Sequence, residues 1–164
     1  MNKDWLITGQ NFILLLLLQI FVFDTIHVGI YLNLQIYIAF ILFMSPTLSG
    51  LATLFLSALM GLSVDLLSGT HGMHTAACAA MGYARYYILS YTSSSNIMPE
   101  IPSIKYYFPK YFTYSGVLIL LHHLTLFMLD SFSFDGILHT LIRIFFSAAV
   151  NFVIILIVRS IVKE

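Results

Sequence analysis

The sequence predicts an all-α integral membrane protein: a compact bundle of about six transmembrane helices forming a single domain over 1–164. Three observations predict it. The first is composition, with 60% of 164 residues hydrophobic and only 9% charged, and a mean hydropathy of +0.95. A soluble domain is about a quarter charged, so a water-exposed surface cannot be built from this chain. The second is that the apolar runs are continuous, not alternating segments of ~10 residues, which argues against an outer-membrane barrel. The third is charge placement. Lys3, Lys105, Lys110, Arg159 and Lys163 fall at the N-terminus, one internal loop and the C-terminus, whereas Asp24, Asp130 and Asp135 occupy turns without Lys or Arg. Six spans put all five basic residues on one side, and the positive-inside rule makes that side cytoplasmic, with both termini.

The first span runs roughly from Ile7 to Phe23, with Trp5 as an interfacial anchor. Lys3 precedes an apolar run with no small-residue cleavage site after it, so it reads as a retained span. Asp24 to Gly29 is a turn, and a second apolar run, about Ile30 to Met44, ends at Ser45-Pro46. Both runs are short for a bilayer that needs about 20 helical residues. Two short tilted spans are expected, with a partly re-entrant segment as the alternative. The third span covers about Leu48 to Leu67.

The fourth span, from near Gly72 to Tyr91, carries Ala76, Ala80 and Ala84 at four-residue steps, beside Cys78 and Gly82. Small residues at that spacing suit close approach by another helix. Tyr83, Tyr86, Tyr87 and Tyr91 form an aromatic belt at its end. The stretch 92–111 is a cytoplasmic loop: Thr92 to Pro102 contains Ser93-Ser94-Ser95-Asn96, Pro99 and Pro102, and Lys105 to Tyr111 is aromatic and basic. The fifth span is about Phe112 to Leu129, Asp130 to Gly136 is an acidic turn, and the sixth span runs from about Ile137 to Val162.

Net charge is zero with no basic block, so there is no electrostatic footprint for nucleic acid. A single cysteine, Cys78, excludes an intrachain disulfide and reads as a small packing residue. Two ionisable residues fall inside spans near the outer side, Asp65 and Arg143. An unpaired charge there costs at least ~2.5–3.5 kcal/mol on insertion scales, so each is expected to have a partner. A structural ion pair between them is the first reading; contact of either with a ligand or another protein is the second. Arg85 is explained by snorkelling to the headgroups, with packing or partner binding as the remainder. His122 and His123 point about 100° apart on a helix and have no H-x₃-H or cysteine partner, so no metal or cofactor is expected. No motif or spacing assembles a nucleophile, a base and an orienting group, so no catalytic residue is assigned.

The stretch around which the chain is organised is Gly61-Leu62-Ser63-Val64-Asp65-Leu66-Leu67-Ser68-Gly69-Thr70-His71-Gly72. On a helix, Gly50, Thr53, Ser57, Gly61, Asp65 and Ser68 share one face of small and polar residues, which in so apolar a chain points inward. Gly69 and Gly72 then break the helix. This run resembles the G-L-x-x-D-L-L-S-G-x-x-x-G signature of the MreD family, the rod-shape-determining membrane proteins of bacteria, with the last glycine, Gly72, coming after Thr70-His71, one position early. Chain length, span count and the motif's place after the third span are similar to that family too.

The resemblance implies a non-enzymatic scaffold subunit of the bacterial cell-elongation complex, in the cytoplasmic (inner) membrane. It implies an MreC-like single-span partner, and a RodA-type glycosyltransferase and class B penicillin-binding transpeptidase contacted directly or indirectly. The MreB filament is implied indirectly. It also implies a fold similar to the substrate-binding subunits of energy-coupling-factor vitamin transporters. The competing reading is therefore a small-molecule binding subunit, which should show a polar or aromatic pocket lined from the outer loops. The short outer turns favour the scaffold. For partner packing, the hairpin of spans three and four, with Ala76, Ala80 and Ala84, is weighted above Gln19, Gly29, Asn33 and Gln35 of the first two spans.

Overall fold

A computed structural model describes residues 3–26, 32–93, 99–131 and 136–161. Gly29, Ile30, Ser94, Ser95, Asn96, Asp135, Val162 and Lys163, which enter the span, loop and orientation arguments above, lie outside the described residues. Among the described residues six α-helices follow one another: α1 (Lys3–Phe21), α2 (Ile38–Phe43), α3 (Gly50–Ser68), α4 (Met73–Thr92), α5 (Phe108–Ser131) and α6 (Ile137–Ile161). A 3₁₀ turn, Phe23–Thr25, follows α1.

Helix boundaries follow local chemistry. The Ser49 hydroxyl accepts from the Ala52 amide and starts α3, and Gly69, at φ +70°, ends it. Pro109 sits in the first turn of α5, where its missing N–H leaves no helical bond unmade. Among the described residues, four segments are long and apolar enough to cross a membrane: Trp5–Thr25, Gly50–Ser68, Phe108–Ser131 and Ile137–Ile161. With 20 residues, α4 matches them in length but carries Arg85, His74 and four tyrosines.

Successive long helices pack side by side, α3 on α4, α4 on α5 and α5 on α6, while α1 rests on α3. The inward face of α3 is where the residue pattern puts it: Thr53, Ser57, Gly61 and Asp65 are buried, though Ser68 at the end is exposed. The α3–α4 hairpin closes on two glycines. A Cβ on Gly61 would run into the backbone of His74 and Thr75, and one on Gly82 would lie 2.6 Å from Ser57 Cβ. This contact is internal to the protein. Ala76, Ala80 and Ala84 are half-buried beside it, while Ala77, Cys78, Met81 and Gly82 face the core.

The second element departs from expectation. In place of a helix over Ile30 to Met44, α2 has six residues, rising only ~9 Å. It is preceded by non-helical backbone from Leu32 to Gln35. Ile36 to Leu42 are each no more than 4% exposed, so a helix apolar all round lies at the centre of the bundle. The segment nevertheless descends through the bundle. Its start bonds Gln19 and Ser147, and Phe43 at its end lies under the Arg159 guanidinium, a level ~18 Å further along α6 than Ser147.

Candidate functional site

Non-helical backbone inside a membrane domain has no water to bond, so each amide and carbonyl requires a protein partner. Long helices around the central segment supply those partners. From α1, Gln19 Nε2 donates to the Leu34 carbonyl at 3.0 Å, and Gln19 Oε1 accepts from the Tyr37 amide at 3.4 Å. From α6, Ser147 Oγ accepts from the Asn33 amide at 3.1 Å and Asn151 Oδ1 from the Gln35 amide at 2.7 Å. Asn151 Nδ2 also donates to the Asn33 carbonyl at 2.7 Å. Of the residues considered above as points for a partner, Gln19 thus has its side chain occupied within the fold, while Asn33 and Gln35 are held through their backbone.

At the other end of the segment, Tyr114 of α5 donates to the Leu42 carbonyl at 2.8 Å, and Arg85 donates to the Met44 carbonyl and, at 3.0 Å, to the Tyr114 hydroxyl. Arg85 is 2% exposed. Snorkelling is therefore the wrong explanation for it. The guanidinium points inward because the last carbonyls of α2 need donors and attract positive charge.

The glycine-bounded motif is a closed unit built on Asp65. Its carboxylate accepts from the hydroxyls of Thr70 at 2.5 Å and Thr75 at 2.6 Å, and from the amides of His74 at 3.1 Å and Thr75 at 2.8 Å. An anion at the first turn of α4 satisfies amides that have no helical partner. Gly69 and Gly72, at φ +70° and +84°, allow the reversal. Ser68 Oγ donates to Asp24 at 2.7 Å, tying the turn to the end of α1.

The expected Asp65–Arg143 pair does not form. Arg143 bonds Asp130, the one salt bridge among the described residues, and lies over the Phe127 ring at 4.3 Å. Asp130 and Arg143 face each other across a short α5–α6 turn, whereas both oxygens of Asp65 already hold donors from its own hairpin. About a third of each Arg143 and Asp130 side chain is exposed, which limits such a pair to ~1 kcal/mol or less.

Between motif and central segment lies a buried chain of aromatic side chains. His74 Nδ1 and His122 Nε2 both bond the Tyr37 hydroxyl, at 2.7 and 3.0 Å. His123 Nε2 lies 3.2 Å from Asn151 Nδ2. His122 and His123, which the sequence marked only as lacking a metal partner, therefore help to pin α2 and α6, together with His74.

Above these groups, at the end of the bundle where α1, α3 and α5 finish, a cavity of about 290 Å³ opens. Its charged walls are Asp24, Asp130 and Arg143; His74 and Gln35 lie deeper, and Phe23 and Phe127 are among its apolar walls. The side-chain oxygen of Gln35 is buried there without a hydrogen-bond partner. Sequence reading missed this cavity because its residues come from five separate stretches. No family model, curated protein or solved structure matches this chain.

Proposed function

We propose that the chain is a non-enzymatic scaffold subunit of the bacterial cell-elongation complex, resident in the cytoplasmic membrane with both termini inside. In this reading it binds an MreC-like single-span protein and thereby links a RodA-type glycosyltransferase, a class B transpeptidase and, indirectly, MreB filaments. The observation that carries it is the behaviour of the MreD-like signature. Five of its positions build one closed hairpin: Asp65 gathers four donors, Ser68 reaches Asp24 just past α1, Gly69 and Gly72 reverse the chain, and Gly61 lets α4 approach. A rigid hairpin of that kind presents neighbouring helix surfaces in a constant geometry, which is what a scaffold needs. Large apolar side chains such as Leu51, Phe55, Phe145 and Phe146 are exposed on the flanks, as lipid or partner contact requires.

A second reading, a vitamin-type binding subunit of an energy-coupling-factor transporter, draws support from the 290 Å³ cavity. Small-molecule pockets start at about 300 Å³ and pair apolar walls with a few polar groups, as this cavity does with Phe23 and Phe127 beside Asp24, Asp130 and Arg143. Affinity purification in mild detergent followed by mass spectrometry separates the two. MreC-like and wall-synthesis proteins in the eluate support the scaffold; transporter ATPase subunits in their place overturn it.

A further inference from the structure

The ring of long helices has one thinly packed seam. Successive helices α3 to α6 pack closely and α1 rests on α3, but α1 and α6 make no packing of comparable extent. In the seam, toward the end where α6 finishes, is a cavity of about 280 Å³. Its floor is α2, through Ala39, Phe40 and Phe43, and its walls include Leu14, Leu15 and Val158. Asn11 and Arg159 make its rim polar.

Arg159 is the distinctive element. Its guanidinium lies over the Phe43 ring at 5.4 Å, and its Nε is buried without a hydrogen-bond partner. No carboxylate lies within salt-bridge distance of it among the described residues. A buried donor on a permanent cation, at the mouth of an apolar groove in a membrane helix, calls for an anion attached to an apolar chain. The bilayer supplies that combination. We propose that the α1–α6 seam binds one anionic phospholipid, its phosphate on Arg159 and one acyl chain in the groove over α2.

The lipid completes the wall that α1 and α6 leave open and covers the part of Phe43 that α2 leaves exposed there. Arginine suits the role because its planar fork meets two phosphate oxygens at once, and Phe43 holds the fork in place. A zwitterionic lipid would meet the same groove without a net negative charge. The preference expected from one basic side chain is roughly fivefold, the factor that about 1 kcal/mol represents.

Native mass spectrometry of the purified protein, titrated with phosphatidylglycerol or phosphatidylcholine of identical acyl chains, tests this. One phosphatidylglycerol should be retained with roughly fivefold preference. Arg159→Gln should abolish the preference, and Lys105→Gln, at an exposed basic residue elsewhere, should keep it. Leu14→Trp fills the groove without touching the charge and should cut retention of the lipid, which decides the matter if Arg159→Gln fails to fold. Inorganic phosphate at millimolar concentration should not displace the lipid, since it has no chain for the groove. Equal retention of both lipids by the unaltered protein overturns the proposal, as does unchanged preference in folded Arg159→Gln or displacement by inorganic phosphate. A benzophenone side chain at Leu14 that captures a protein in place of lipid in cells also overturns it.

Discussion

The side-chain oxygen of Asn151 accepts the backbone amide of Gln35 at 2.7 Å, across 116 positions of sequence. A residue on α6 thereby replaces the helical neighbour that Gln35 lacks. The central segment remains irregular inside an apolar bundle because its polar backbone is held by other helices, Asn151 foremost.

Asn151→Leu should therefore destabilise strongly, because it leaves the Gln35 amide and the Asn33 carbonyl without their partner. At about 1–3 kcal/mol for each orphaned group, the loss should exceed that of Ser147→Ala, which removes the partner of one amide. Thermal unfolding in detergent measures both. Equal losses would show that the clamp contributes nothing beyond a single bond.

Charge removal separates two arrangements at the end of the bundle where α3 and α5 finish. A double-mutant cycle of Asp65→Asn with Arg143→Gln should be additive, since the residues hold different partners. The cycle of Asp130→Asn with Arg143→Gln should show a coupling of up to ~1 kcal/mol, as for a partly exposed pair. Coupling in the first cycle and none in the second would restore the pairing expected from depth alone.

Arg85→Gln should cost several kcal/mol and make the region around Met44 open to hydrogen exchange, because both the Met44 carbonyl and Tyr114 lose a donor. Arg85→Lys should recover only part, having one point charge where the guanidinium has a fork. A snorkelling arginine would tolerate either change within ~0.5 kcal/mol.

Gly61→Ala should be worse than Gly82→Ala. The new methyl at position 61 strikes the backbone of His74 and Thr75, whereas at 82 it meets chiefly the side chain of Ser57. Overpacking costs of about 1–3 kcal/mol are expected, larger where the obstacle is backbone. Comparable stabilities for the two variants would mean that the hairpin is looser than its geometry.

Partner binding has its own test. If the half-buried Ala76 and Ala80 hold an MreC-like helix, Ala76→Leu and Ala80→Leu should reduce its co-purification while the protein stays folded and inserted. Full retention by both folded variants places the partner surface elsewhere, since the tight contact between α3 and α4 is internal.

Composition by itself determined an all-helical chain with helices able to cross a membrane, because bulk hydropathy and run length are local quantities. The inward face of α3 and the glycine break after it were legible for the same reason: a 3.6-residue period and positive-φ glycines need no distant partner. The irregular backbone before α2 left a faint trace. Leu32-Asn33-Leu34-Gln35-Ile36 alternates apolar and polar residues, as an extended strand would, inside a run otherwise apolar enough for a helix. Tertiary structure alone decided that this segment stays unwound, that Arg85 turns inward, and that Arg143 chooses Asp130 over Asp65. In each case the outcome depends on which donor or acceptor reaches a buried polar group first in space. Gln19, Arg85, Tyr114 and the Ser147–Asn151 pair are far apart in sequence and meet only when four helices close around α2.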